Sequence, residues 1–244
     1  MRVFAASKFL LKSLLSERAT GVVGALCAAL LAVSFFLGDI NIAVKHKLLE
    51  DALIASEGFI MTLIAILYAF FAMEKERKGG IFVFILVGGA SRAAYLLSQF
   101  IALFGAILLL FALFLVVDFV FLEVFAGSFG VEFLTRLLYL ALSSAMLAFL
   151  TLTLARYVSN TNAVIYSILL FFIGNGADEL VLYAKGTSAL FSGFIYYVLP
   201  NFSFFDPLAI SVAEPFVFLY FALYSSLLFF LALFKFKKEA LRVG

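Results

Sequence analysis

The sequence predicts an all-α, polytopic membrane protein with six transmembrane helices. Composition and spacing carry that expectation. Apolar residues make up 66 % of the 244-residue chain and charged residues only 13 %, with a mean hydropathy of +1.20. A soluble domain averages about 45–50 % apolar and about 25 % charged residues, so no water-surrounded interior of this size could hold the excess. The apolar residues also fall in runs of about 20, the length of a bilayer-crossing helix, parted by clusters of charge. Six such runs with their connections account for residues 1–244 as a single transmembrane domain and leave no room in it for an ATPase domain.

The elements follow in order. Residues 1–20 mix Phe4, Leu10, Leu11, Leu14 and Leu15 with Arg2, Lys8, Lys12 and Arg18, a two-faced helix too charged to cross and suited to the interface. Residues 21–38 hold no charge and form the first span, long enough to remain in the membrane rather than act as a cleaved signal. A polar connection runs from Asp39 through Lys45, Lys47, Glu50 and Asp51 to Glu57. The second span is 54–73. The third, 95–117, stops at Asp118, and the fourth, 137–155, stops at Arg156. The fifth, 163–182, is interrupted by Gly174, Asn175, Gly176, Asp178 and Glu179, whereas the sixth, 216–234, closes cleanly on Lys235, Lys237 and Lys238.

Residues 81–117 hold one charge, Arg92. As one helix they would reach about 55 Å, too long for one span and too short for two with a turn. The decapeptide 81–90 is therefore expected to be a short cytoplasmic helix that does not cross. With six spans both termini share a side. That side carries Arg2, Lys8, Lys12, Arg18, Lys75, Arg77, Lys78, Arg92, Arg156, Lys235, Lys237, Lys238 and Arg242, most of the 17 basic residues, against Lys45, Lys47, Arg136 and Lys185 opposite. The positive-inside rule places the richer side, and both termini, in the cytoplasm. The other side receives a second long segment, 183–214, rich in aromatics (Phe191, Phe194, Tyr196, Tyr197, Phe202, Phe204, Phe205) and expected to return to the membrane interface.

Several chemistries are disfavoured. One cysteine, Cys27, makes no internal disulfide and reads as a small buried apolar residue, and one histidine, His46, supplies no Cys/His zinc set. A net charge of +2 does not argue for nucleic acid. A phosphate-wrapping loop ends in Gly-Lys-Ser/Thr, and the chain has no Gly-Lys step. His46 lies in a loop, away from any membrane-embedded serine, and Asp178-Glu179 is the only adjacent acidic pair at membrane depth. No enzyme activity and no cofactor is expected in this chain.

What remains is the segment 74–94. Met73-Glu74-Lys75-Glu76-Arg77-Lys78-Gly79-Gly80 leads into the apolar decapeptide, and Ser91-Arg92 opens the third span. This pattern resembles the permease subunit of type-2 ABC exporters, in which an acidic-basic-Gly cluster leads into a coupling helix and a Ser-Arg step begins the third span. The basic N-terminal helix, the six-span order, Leu199-Pro200-Asn201-Phe202 and Phe205-Asp206 extend the likeness over nearly the whole chain. Relatives often have Pro before the Ser-Arg step, where this chain has Gly88-Gly89-Ala90. The Leu-Pro-Asn-Phe pattern is similar to permeases linked to maturation of copper enzymes such as nitrous-oxide reductase, and the size also suits haem-exporter permeases.

The resemblance implies a permease homodimer in the inner membrane, two copies of a cytoplasmic ATP-binding subunit carrying ATP and Mg, and an extracytoplasmic accessory protein as a further partner. It implies that Glu74, Lys75, Glu76, Arg77, Lys78, Ser91 and Arg92 couple the chain to that ATPase, with Glu74 and Glu76 meeting basic residues and Arg92 acidic ones. The bland alternative is a solvated turn with topogenic charge. A non-transporting scaffold for partner subunits would share the hydropathy without needing the charged hinge. Asn175, Asp178 and Glu179 either line a translocation route or outer gate, or mark the end of a short fifth span. Glu132 and Arg136, spaced i,i+4, read as a local pair. Gly21, Gly24, Ala25, Ala28 and Ala29 offer a small-residue face for close helix packing, against a second copy or within the monomer.

Overall fold

The computed structural model describes residues 2–15, 21, 25, 45–79, 91–125, 130–185, 199–205 and 214–240. Among them the chain is helical, with no strand: α1 (Arg2–Leu15), α2 (Lys45–Gly79), α3 (Arg92–Phe125), α4 (Val131–Leu154), α5 (Asn160–Asn175), α6 (Ala177–Lys185), a 3-10 turn (Phe202–Phe205) and α7 (Glu214–Ala240). Four stretches are long and apolar enough to cross a bilayer: Glu50–Arg77, Arg92–Glu123, Val131–Leu154 and Pro215–Phe236. This is the build of a membrane protein. The expected first span, 21–38, lies outside the described residues apart from helical Gly21 and Ala25, as do 80–90 of the 74–94 segment and most of 183–214.

Helix α4 is the axis of the bundle. Its membrane-length segment is 83 % buried, against 22 % for α7, and it touches α2, α3, α5, α7 and the 3-10 turn, with α2 as its most extensive neighbour. The cause lies in its small residues. Ala141, Ser144, Ala145 and Ala148 are all buried and repeat at three- and four-residue steps, so neighbouring backbones can approach closely where lipid supplies no hydrophobic drive between helices. Larger side chains then interdigitate around them. Phe149 of α4 stacks on Phe100 of α3 at 4.6 Å between centroids, and Phe229 of α7 meets Phe100 edge-on at 5.5 Å. Such aromatic pairs add about 0.5–1.5 kcal/mol beyond their area.

Helix α1 lies along α3 and also reaches α2. It turns Ser7 and Leu14 inward and leaves Phe4, Lys8, Phe9 and Lys12 exposed, the two-faced pattern legible in its sequence.

Three boundaries differ from expectation. Asp118 does not stop the third span, since α3 runs on to Phe125. Its carboxyl is fully buried and faces that of Glu57 on α2, so another helix receives the group that the sequence assigned to water. The polar connection before the second span is itself helical from Lys45, because Leu53, Ile54 and Glu57 turn inward while Lys47 and Ala55 face out. The 163–182 stretch is two helices broken at Gly176. At 16 residues α5 spans about 24 Å, shorter than a hydrocarbon core of about 30 Å.

Pro200, Asn201, Phe202 and Phe205 are buried, so this part of the aromatic segment packs into the bundle against α4 and α5 rather than resting at its surface. Gly174 permits it. A Cβ there would collide with the Pro200 carbonyl oxygen and come within 2.6 Å of the Phe202 ring. Gly174→Ala is expected to lower stability by about 1–3 kcal/mol, the usual penalty of overpacking. Gly176→Ala, whose added methyl would meet nothing closer than 3.7 Å, is the control. Thermal unfolding in detergent compares the two, and equal melting temperatures would refute the close approach.

Candidate functional site

Besides the Glu57–Asp118 pair, two places among the described residues gather polar side chains, one near each end of the α2–α4 pair. The first forms near the end of α2. Glu76 faces the last turn of α4, and Arg156, just beyond that helix, reaches back to it. Arg156 Nη1 donates to Glu76 Oε1 at 2.6 Å and Nη2 to Oε2 at 2.7 Å, a two-pronged pair whose side chains are only 4 % and 8 % exposed. Gln99 of α3 completes it, donating from Nε2 to Glu76 Oε2 at 2.8 Å and accepting from Arg156 Nη2 at 2.7 Å. The same amide donates to the Tyr95 hydroxyl at 3.0 Å. From α7, the Phe236 ring lies 4.7 Å from the guanidinium carbon, a cation–π contact.

The neighbouring charges are also engaged. Arg77 donates to the carbonyls of Ala155, at 3.0 Å, and Val158, at 3.4 Å, capping acceptors that the end of α4 leaves unmet. Lys75 donates to the hydroxyl and carbonyl oxygens of Ser13 in α1, at 2.7 and 2.8 Å. Ser91 accepts from Ala94 N at 3.2 Å and so acts as the N-cap of α3, while Arg92 is half-buried as its first residue. Of the seven hinge residues named from sequence, Lys75, Glu76, Arg77 and Ser91 therefore bind within their own chain. Glu74 is half-buried, and the Lys78 side chain lies outside the described residues.

The second place lies near the start of α2. Arg136 of α4 donates to Asp51 Oδ1 at 3.2 Å and to Glu132 Oε1 at 2.7 Å, so the i,i+4 pair read from sequence is present and extended by a third member. This cluster is partly exposed, and each pair is worth about 1 kcal/mol at most. Below it opens a cavity of about 540 Å³ between α2, α4, α5 and the 3-10 turn. One wall is Ile54, Gly58, Leu63 and Ile66 of α2, and facing it are Phe171 of α5 with Phe202 and Phe205. Polar atoms are few. Asp51 and Asn175 lie toward one end, with Thr62, Ser143 and Ser144 on the walls.

The structure thus brings Asn175 into a cavity. Glu179 is exposed on α6 and outside its lining, and the Asp178 side chain is not among those described. Sequence reasoning missed Arg156 and Gln99 as partners of Glu76, and Asp51, Gly58 and Ser143 as cavity residues. Among the described residues no three His, Cys, Asp or Glu side chains gather as a metal site would require.

Because Glu76 and Arg156 are buried, removing one strands the other. Glu76→Leu or Arg156→Leu is expected to destabilise by about 3–5 kcal/mol, whereas the double apolar replacement should recover most of that loss. Melting of the four proteins in detergent forms the cycle, and additive losses would refute the pairing. No protein-family model and no curated protein matches the chain.

Proposed function

We propose that the chain is the membrane-spanning permease subunit of an ATP-binding-cassette exporter, moving its substrate across the inner membrane with ATP hydrolysed by a separate cytoplasmic subunit. In this reading residues 21–38 and 163–182 supply the first and fifth of six spans. Both termini and the 74–94 segment are cytoplasmic, two permease chains pair, and each engages one ATPase that carries ATP and Mg.

The observation that carries the reading is the Glu76–Arg156–Gln99 knot at the foot of the charged hinge. A permease without an ATPase domain must receive force through a rigid contact, and a contact at 80–90 acts on the end of α2 and the start of α3. The knot joins both to the end of α4 and, through Phe236, to α7. A push at the hinge therefore moves four helices together. In this division of labour Glu76 and Arg77 position the hinge from within, while Glu74, Lys78, Ser91 and Arg92 flank the contact itself. The cavity between α2, α4 and α5 is the part of the pathway nearest the other side.

Purification of the tagged chain in mild detergent is the test. An ATP-binding subunit is expected to co-purify, and Arg92→Glu should weaken that association about tenfold, the effect of reversing a charge that fixes docking register. A membrane scaffold would retain other partners and no ATP-binding protein, which would overturn the reading.

A further inference from the structure

We infer that the cavity between α2, α4 and α5 binds an amphiphile with one long apolar chain and a cationic, hydrogen-bond-donating head, entering sideways from the membrane. The inference rests on the permease reading for its role as substrate site and deepens it by naming the substrate class.

Shape argues for a chain. The α2 wall runs from Asp51 to Ile66, so the cavity extends about 22 Å along the helix, longer than the roughly 15 Å of one bilayer leaflet. Its volume of about 540 Å³ lies within the usual range for small-molecule sites, about 300–1,000 Å³. The lining away from Asp51 is aliphatic and aromatic, with hydroxyls as its only side-chain polar groups, which gives a charged or strongly hydrated solute nothing to replace its water.

The lips argue for lateral entry. Among the described residues, Phe59 of α2 and Phe172 of α5 stand at the edge of the cavity and are 60 % and 68 % exposed. On helices of a membrane bundle, such faces meet lipid chains. An apolar tail passes between them without leaving an apolar medium.

The polar end selects the head. Arg136 binds Asp51 through Oδ1 alone, and it is one guanidinium set between two carboxylates, those of Asp51 and Glu132. The group of three carries a net negative charge. Asn175 uses one amide N–H on the Phe171 carbonyl, at 2.8 Å, and keeps its oxygen as an acceptor beside its second N–H. Acceptors and negative charge at one end of an apolar tube fit an ammonium head and disfavour a carboxylate or phosphate.

The chain has no tryptophan and one cysteine, Cys27, which makes the experiment direct. Phe171→Trp places a single fluorophore in the cavity, and Leu113→Trp places one on an exposed face of α3 that does not line it. Each purified permease chain, with no ATPase present, is titrated in nanodiscs with dibrominated octadecylamine, dibrominated stearate or brominated phosphatidylcholine. The amine is expected to half-quench Phe171→Trp at a mole fraction at least tenfold below that needed for Leu113→Trp. Stearate and phosphatidylcholine should show no such preference. Asp51→Asn should abolish the preference, and Ala55→Phe, which fills the groove and leaves the acidic end intact, should do the same.

Equal quenching at both reporters, or a preference for stearate, would overturn the inference. So would oxidation of Phe59→Cys to an intramolecular bridge with Cys27, which would show that residues 21–38 fill the cavity, or to a bridge between two copies, which would show that a second chain does. Failure here leaves co-purification of an ATPase untouched. Amine binding without an ATPase would keep the site and remove the permease.

Discussion

A buried guanidinium–carboxylate pair is stable only with good geometry and further hydrogen bonds around it, and that requirement organises one whole end of this molecule. Arg156 and Glu76 stand 80 residues apart in sequence. Two charges removed from water cost several kcal/mol each, and their attraction repays this only with good geometry and further hydrogen bonds. Gln99 supplies those bonds through both ends of its amide, Tyr95 orients the amide, and Phe236 covers the cation. Five side chains from α2, α3, α7 and the end of α4 are consequently held in one arrangement. Apolar packing between membrane helices is permissive about rotation and sliding, whereas a knot of this kind is not.

The parallel pair α2 and α4 shows what the knot accomplishes. The two helices are stapled at both ends, firmly by Glu76–Arg156 and loosely by Asp51–Arg136. The firm staple is buried and the loose one is wet. Between them, small residues bring the backbones together along most of the contact. Toward the loose staple Ala55 and Ser143 line open space, and the cavity opens there. One end of the pair is thus built to keep its geometry and the other to accommodate something.

Much of this organisation could be read from residue order, and the rest could not for identifiable reasons. Long apolar runs announced the four membrane-length helices, α2, α3, α4 and α7, because hydropathy needs no knowledge of neighbours. Glu132 and Arg136 were legible because helical spacing alone brings them together. Asp118 was misread as a stop because a lone carboxylate in a sequence is assumed to seek water, and nothing local reveals Glu57 across the bundle. Arg156 looked like the basic end of a span, which it also is, and its bond to Glu76 depends on how two distant helices align. The cavity was invisible for a related reason. Glycine, alanine and serine at helical spacing look the same whether they admit a neighbouring helix or leave a void. Asn175 was noticed as a polar residue at membrane depth, but its place on a wall follows from the break at Gly176 and from the packing that Gly174 allows.

Helix α7 is the least buried of the long helices, yet it is moored at two points. Near one end its Phe236 ring covers Arg156, and 16 residues earlier the Tyr220 hydroxyl accepts a hydrogen bond from the Asn201 backbone at 2.8 Å. Asn201 immediately precedes Phe202, a wall of the cavity. An α-helix resists compression, so these moorings are joined by a strut of about 24 Å. An axial shift of Phe236 by one helical residue, about 1.5 Å, carries Tyr220 the same distance and pulls on the turn that closes the cavity. Helix α7 is thus a second mechanical route, beside α2 itself, between the charged knot and the apolar chamber.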